Sequence, residues 1–270
     1  MAAMTPAGFA PGRATRWLIA VLVGVAFAVP LVSMLLFTLR DEDTGGYTLV
    51  HWTGLFSPAN ARALSPLWEG LGNSLVLAAF TVALVLVLLA PTMILVNLRF
   101  PRLRRLFEFL VLLPISIPAI VLVVGLAPIY LAIGRTVGTG AWTLGFAYGI
   151  TVLPFAFRAI QAAIDAIDLR TLTEAARSLG ASWPAVILQV LAPNLRTGLM
   201  AASLISTAVV LGEFTIASLL NRRVLQTALL VVGKMDSSAA AIFSLLALVL
   251  AFLLLLAIGR AGRLNLGKDR

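Results

Sequence analysis

Six stretches of about 20 or more mostly apolar residues follow one another along this 270-residue chain, and that is the length a helix needs to cross a bilayer core. They cover roughly residues 17–39, 73–98, 106–133, 141–160, 198–220 and 239–258. Lipid offers no partners to backbone N–H and C=O groups, so each stretch must close its own hydrogen bonds and reads as a helix. The chain as a whole, 1–270, is predicted to be one all-α, multi-pass membrane domain. Composition points the same way: 61% of residues are hydrophobic and 11% charged, against about 45–50% and about 25% in a soluble domain. A soluble protein would have to spread that excess over its surface, where apolar patches drive association. A soluble enzyme, a disordered tail and a fibrous repeat are excluded.

The net charge of +9 reflects topology, because the basic residues sit in short clusters between apolar runs. With both termini in the cytoplasm, the inside segments hold Arg13 and Arg16; Arg99, Arg102, Arg104 and Arg105; Arg158, Arg170, Arg177 and Arg196; and Arg260, Arg263, Lys268 and Arg270. The outside segments hold only Arg40, Arg62, Arg135, Arg222, Arg223 and Lys234, with Asp41-Glu42-Asp43 among them. The excess inside predicts cytoplasmic termini. The first stretch has a signal-peptide alternative, with Ala26-Phe27-Ala28 as a cleavage site; its apolar run to Leu39 fits a span better. There is no cysteine and one histidine, His51, so a thiolate nucleophile and a multi-histidine metal site are excluded, and His51 reads as a polar loop residue.

The connection 161–197 is too polar to span, and is the longest. Thr171-Leu172-Thr173-Glu174 has the form of a capping box, which opens a helix. Gly180 supplies a residue able to end it in the left-handed conformation. Ser182 can cap a second helix, with Pro184 in its first turn and Pro193 as its stop. An L-shaped helix–turn–helix on the cytoplasmic side is expected, against the alternative of an ordinary interfacial loop.

Glu174-Ala175-Ala176, three residues, Gly180, nine residues and Val190-Leu191-Ala192-Pro193 resemble the EAA loop of permeases of type I ABC importers. Val190 and Ala192 depart from the usual Ile and Leu. Gly72-Asn73-Ser74-Leu75 and Pro114-Ile115-Ser116-Ile117-Pro118 also resemble the family, and within it the chain looks closest to the spermidine/putrescine-type permeases. Gly212-Glu213-Phe214 is similar to permeases for iron, phosphonates, sulfate or thiosulfate, and molybdate as well.

The resemblance implies a bacterial inner-membrane, multi-pass subunit that lines the pathway of an ATP-driven importer. Its partners would be a second permease, of a different chain; a homodimeric cytoplasmic ATPase; an external substrate-binding protein; and membrane lipid, with no nucleic acid. Glu174, Ala175, Ala176, Gly180 and Pro193 would couple to the ATPase. The cargo would be a polyamine or similar small solute. Neither lysine lies in a phosphate-binding G-x-x-x-x-G-K-[S/T] loop, so no cofactor is expected in this chain, and ATP and magnesium would belong to the partner.

Charges inside a membrane are costly and face a cavity or a partner. Glu213, in the fifth stretch, either lines the pathway or caps backbone near a helix break. Glu108 reads as an interfacial ion pair with Arg104 or Arg105. Asn73 and Ser74 read as helix-start and interhelical hydrogen-bonding residues, with the pathway as the alternative. Pro114, Pro118, Pro128 and Pro154 kink their helices, either to shape a gate or as static bends. An intramembrane enzyme lacks its nucleophile and base; an ATPase-independent channel or ion-driven carrier would want more buried ionisable groups.

Overall fold

Proline and glycine positions decide where these apolar runs are single helices and where they break. The computed structural model describes residues 12–41 and 45–264. Its helices are α1 (Arg13–Leu39), α2 (Val50–Gly54), α3 (Ala61–Arg99), α4 (Arg104–Leu112), α5 (Ala119–Thr136), α6 (Gly145–Asp165), α7 (Leu169–Ser178), α8 (Trp183–Asn194), α9 (Arg196–Gly212), α10 (Thr215–Leu219), α11 (Leu225–Gly233) and α12 (Ser237–Leu264). No strand forms among the described residues beyond one isolated bridge, Arg40 to Tyr47. Five helices, α1, α3, α5, α6 and α12, are long and apolar enough to cross a membrane. Counted as one broken span, the bent pair α8–α9 would make a sixth; within it α9 is the apolar arm that follows the loop.

Four expected spans need correction. The second begins at Ala61, not Asn73, so Asn73 and Ser74 lie inside a helix and do not start one. The third is not continuous over 106–133. Pro114 and Pro118 lack the N–H a helix needs, and the residue before a proline is pushed to extended backbone. Ile117 is extended accordingly, and α5 begins afresh after Pro118. The fourth runs on to Asp165, five residues past its expected end. The fifth stops at Gly212, where Glu213 turns extended, rather than at Leu220. The first and last run beyond 17–39 and 239–258 by a few residues. Glu42, Asp43, Lys268 and Arg270, used in the charge count, lie outside the described residues.

Pro91 and Pro193 break nothing immediately. Each follows a π-type turn, Val85–Leu89 and Val186–Leu191. A turn with i→i+5 spacing shifts the hydrogen-bond register and accommodates a residue with no donor. Pro193 therefore does not stop α8, which continues to Asn194.

The core is built on α3, α6 and α9, the last two making the most extensive helix pair in the chain. Small residues let backbones approach closely: a Cβ at Gly198 would lie 2.5 Å from Ala163 Cβ and 2.8 Å from the Ala159 carbonyl. Ser203, Ser206 and Thr207 on α9 are buried and return their hydroxyls to carbonyls four residues back, which satisfies them without water. Phe157 is buried edge-on against Phe107 at 6.0 Å, a packing role. By contrast α1 buries almost none of its apolar surface. Such a surface is stable only in lipid or under a partner chain.

Candidate functional site

The loop after α6 is anchored by Asp168, whose side chain accepts the Thr171 N–H at 3.1 Å and the Thr171 hydroxyl at 2.7 Å. This corrects the expected capping box: Asp168 is the N-cap, and α7 opens before Thr171. Those hydrogen bonds, the Thr171 hydroxyl foremost, hold the Asp168 carboxyl below the usual carboxylate range. Because the folded pKa is depressed, the cap contributes above the unfolded value and is lost as pH falls through the folded one. Glu174 instead sits one turn on and accepts from Arg170 Nε at 2.7 Å, both side chains exposed.

Gly180 ends α7 with φ +84°. The Gly180 N–H donates to the Arg177 carbonyl at 3.0 Å and the Ala181 N–H to the Ala176 carbonyl at 3.1 Å. Those two bonds are a Schellman motif, which satisfies the carbonyls a helix end leaves free. Arg177 reinforces the corner by donating to the Ala181 carbonyl at 2.7 Å and lying 5.5 Å from the Trp183 ring centroid. Ser182 holds the cap position of α8, but its side chain makes no capping bond.

Chain direction places this corner at one end of the bundle, since α6 leads into it and α9 leads out. The turn at Leu195 bends α8 and α9 by 79°. Of the three small residues, Ala175 faces out, Ala176 is buried with Leu169 and Thr173, and Gly180 is exposed. Ala176 thus packs α7 inward, where sequence reasoning had placed it facing a partner. Two exposed residues escaped that reasoning: Leu179, 90% exposed at the corner, and Leu188. Leu179 stands three positions after the EAA triplet, and an apolar residue just before a terminating glycine was its only sequence signal.

Behind the corner, Arg104 donates to both oxygens of Asp165, at 2.8 and 3.2 Å. Gln161 donates to the same carboxylate at 2.9 Å. Glu108 lies 3.9 Å from Arg158, so its ion pair forms across to α6 and not with the expected Arg104 or Arg105.

At the opposite end, both Glu213 oxygens accept the Ile216 N–H, at 3.0 and 3.1 Å. The carboxylate thus caps α10 after the break at Gly212. The buried Tyr148 hydroxyl has no hydrogen-bond partner within normal distance among the described residues. Asn73 donates to the Arg223 carbonyl at 2.8 Å, and Ser74 accepts the Leu225 N–H at 2.9 Å. Their interhelical role is as expected; they tie α3 to the turn before α11.

Ser74→Ala removes the only acceptor shown for a buried N–H. An orphaned buried donor costs about 1–3 kcal/mol, so the purified protein should melt several degrees lower. Ser74→Thr, which keeps the hydroxyl, should recover part of the loss. An unchanged melting temperature in Ser74→Ala would show that this bond does not hold the turn.

Residues 87–268 match the family model described as the binding-protein-dependent transport system inner membrane component. The chain belongs to that family. No match was found among curated proteins. Membership makes this permease a multi-pass inner-membrane subunit of a binding-protein-dependent ABC importer, a class that works with a partner ATPase and a substrate-binding protein. It is a transport family and not an enzyme family. The matched span covers both the L-shaped corner and the break at Glu213.

Proposed function

We propose that this permease forms one half of the import pathway and couples it to the ATPase through α7 and α8. The observation that carries this is the hydrogen-bonded corner at Gly180, joined through α7 and α8 to the tightly packed pair α6 and α9. A push on α7 would move those two helices as a body, which is the differential contact a two-state transport cycle needs. The ATPase-coupling residues are Glu174 and Ala175 on the outward face, Gly180 at the corner, and Ala176 and Pro193 as internal supports. Leu179 joins them as an apolar residue for a groove on the partner. The loop then faces the cytoplasm, both termini lie on that side, and ATP and magnesium sit on the partner chain. Asn73, Ser74, Pro114 and Pro118 shape the pathway by setting where helices bend and how the outer turn is tied.

The second permease in this reading is a different chain, by resemblance to spermidine/putrescine-type systems, and polyamines are the cargo that resemblance suggests. Glu213 would be the acid for such a cation, yet both its oxygens are engaged in the cap at Ile216.

The test is a tagged ATPase co-expressed with the permease. Wild type should be retained on the ATPase, while Leu179→Glu and Glu174→Lys should reach the membrane at normal abundance and be retained several-fold less. Equal retention of all three chains would remove the coupling role from this loop.

A further inference from the structure

Behind the corner, α4 is fastened to α6 by a series of contacts. Arg104 meets Asp165, Phe107 meets Phe157 with ring centroids 6.0 Å apart, and Glu108 lies 3.9 Å from Arg158. Positions 104, 107 and 108 stand three and four apart, so they share one face of α4. On α6, positions 157, 158, 161 and 165 share a face by the same spacing. Gln161 is buried in that face, donates to Asp165 at 2.9 Å and has its Oε1 3.5 Å from Asn97 Nδ2, near the end of α3. The end of the helix that enters the loop is thus tied to the two helices before it.

The charges at the end of this series stand against the local rule. Arg104 is the first residue of α4 and Asp165 the last of α6. A helix carries partial positive charge at its N-terminus and partial negative charge at its C-terminus. Each charge therefore sits at the disfavoured end of its own helix and, through the pair, at the favoured end of the other. Neither helix gains from it alone; the arrangement is favourable only while the start of α4 and the end of α6 are held together. An exposed ion pair is usually weak, and these side chains are 43% and 51% exposed. Here, however, the carboxylate accepts two bonds from Arg104, at 2.8 and 3.2 Å, and a third from Gln161, and hydrogen bonds to an ionised group are the strong ones. The helix α4 is also only nine residues long and stands between breaks at Pro101 and Pro114, so it can follow α6 without dragging α5.

We propose that Arg104 is a positioning residue for coupling: through Asp165 it makes α4 follow the end of α6, so that a push on α7 reaches the broken third span as well as α6 and α9. This rests on the reading of α7 and α8 as the surface that meets the ATPase.

Arg104→Asp and Asp165→Arg are made singly and together in the reconstituted importer. ATP hydrolysis is measured without and with the substrate-binding protein, purified in its loaded form. Each single variant sets like charges against each other, which opposes contact. It should lose several-fold in stimulated hydrolysis, while unstimulated hydrolysis, membrane abundance and retention on the tagged ATPase stay at the wild-type level. The exchanged pair restores opposite charges and should regain most of the stimulation. Arg102→Asp, which changes the charge one turn away at an exposed residue with no ion pair among those described, should keep it. A role in stability alone gives another pattern: a lower melting temperature and lower abundance, with unchanged stimulation per assembled complex. That pattern overturns the proposal, as does full stimulation in either single variant or a loss that the exchange does not restore. The two readings fail separately. Full stimulation in the single variants removes the tie and leaves the coupling loop standing, whereas retention of Leu179→Glu equal to wild type removes the coupling loop itself.

Discussion

Gly180→Val should reach the membrane in normal amount and lose ATP hydrolysis stimulated by the binding protein, together with uptake. Gly180 needs φ +84° for the paired bonds that close the corner. A β-branched residue adopts that conformation only at a cost of about 1–2 kcal/mol, which corresponds to a 5–30-fold loss of the closed corner. The space around Gly180 is open: a Cβ there would meet nothing within 4 Å. The penalty is therefore one of backbone conformation and not of crowding within the chain. Side-chain identity then separates the causes. Gly180→Asn, which tolerates the left-handed region, should retain most of the stimulated activity, while Gly180→Val should not. The readout is stimulated ATPase activity of reconstituted complexes, normalised to permease abundance. Full stimulation in Gly180→Val would mean that the corner's geometry does not carry the coupling.

Gly198→Leu should leave little folded permease. The Cβ alone would sit 2.5 Å from Ala163 Cβ and 2.8 Å from the Ala159 carbonyl, and the carbonyl belongs to a helix backbone that cannot swing aside. Crowding a packed core costs about 1–3 kcal/mol or more, and here it pries apart α6 and α9, the pair that carries the corner. Gly198→Ala should already lower the melting temperature. Gly259→Ala on α12 is the matched control, since its Cβ would meet nothing within 4 Å; it should be neutral or slightly stabilising, because alanine is the better helix residue. Equal melting temperatures for Gly198→Ala and Gly259→Ala would refute the close approach.

The all-helical character and rough positions of the apolar segments were legible in the sequence, because a membrane span is a local property: length and apolar composition decide it. The corner was legible too, since Gly180 was read as the helix end from its own backbone freedom. The opening of α7 was misread by one turn because Asp168 and Thr171 are both good caps, and spacing alone does not choose between them. Packing against α8 does: Leu169, Thr173 and Ala176 must share the buried face, and that sets the first turn. Ala176 went the same way, a small residue that sequence reasoning assigned to a partner and the fold uses inside. Helix breaks at Pro114–Pro118 and after Gly212 were visible as candidates, but Pro91 and Pro193 look the same in the sequence and are absorbed by π-type turns. Asn73 and Ser74 find their partners at Arg223 and Leu225, some 150 residues away, and no local pattern encodes such a pairing. Glu213 marks the division most clearly. Its residue type said only that an acid in an apolar stretch must be satisfied; the tertiary structure decided how, by breaking α9 one residue earlier and turning the Ile216 N–H toward both its oxygens.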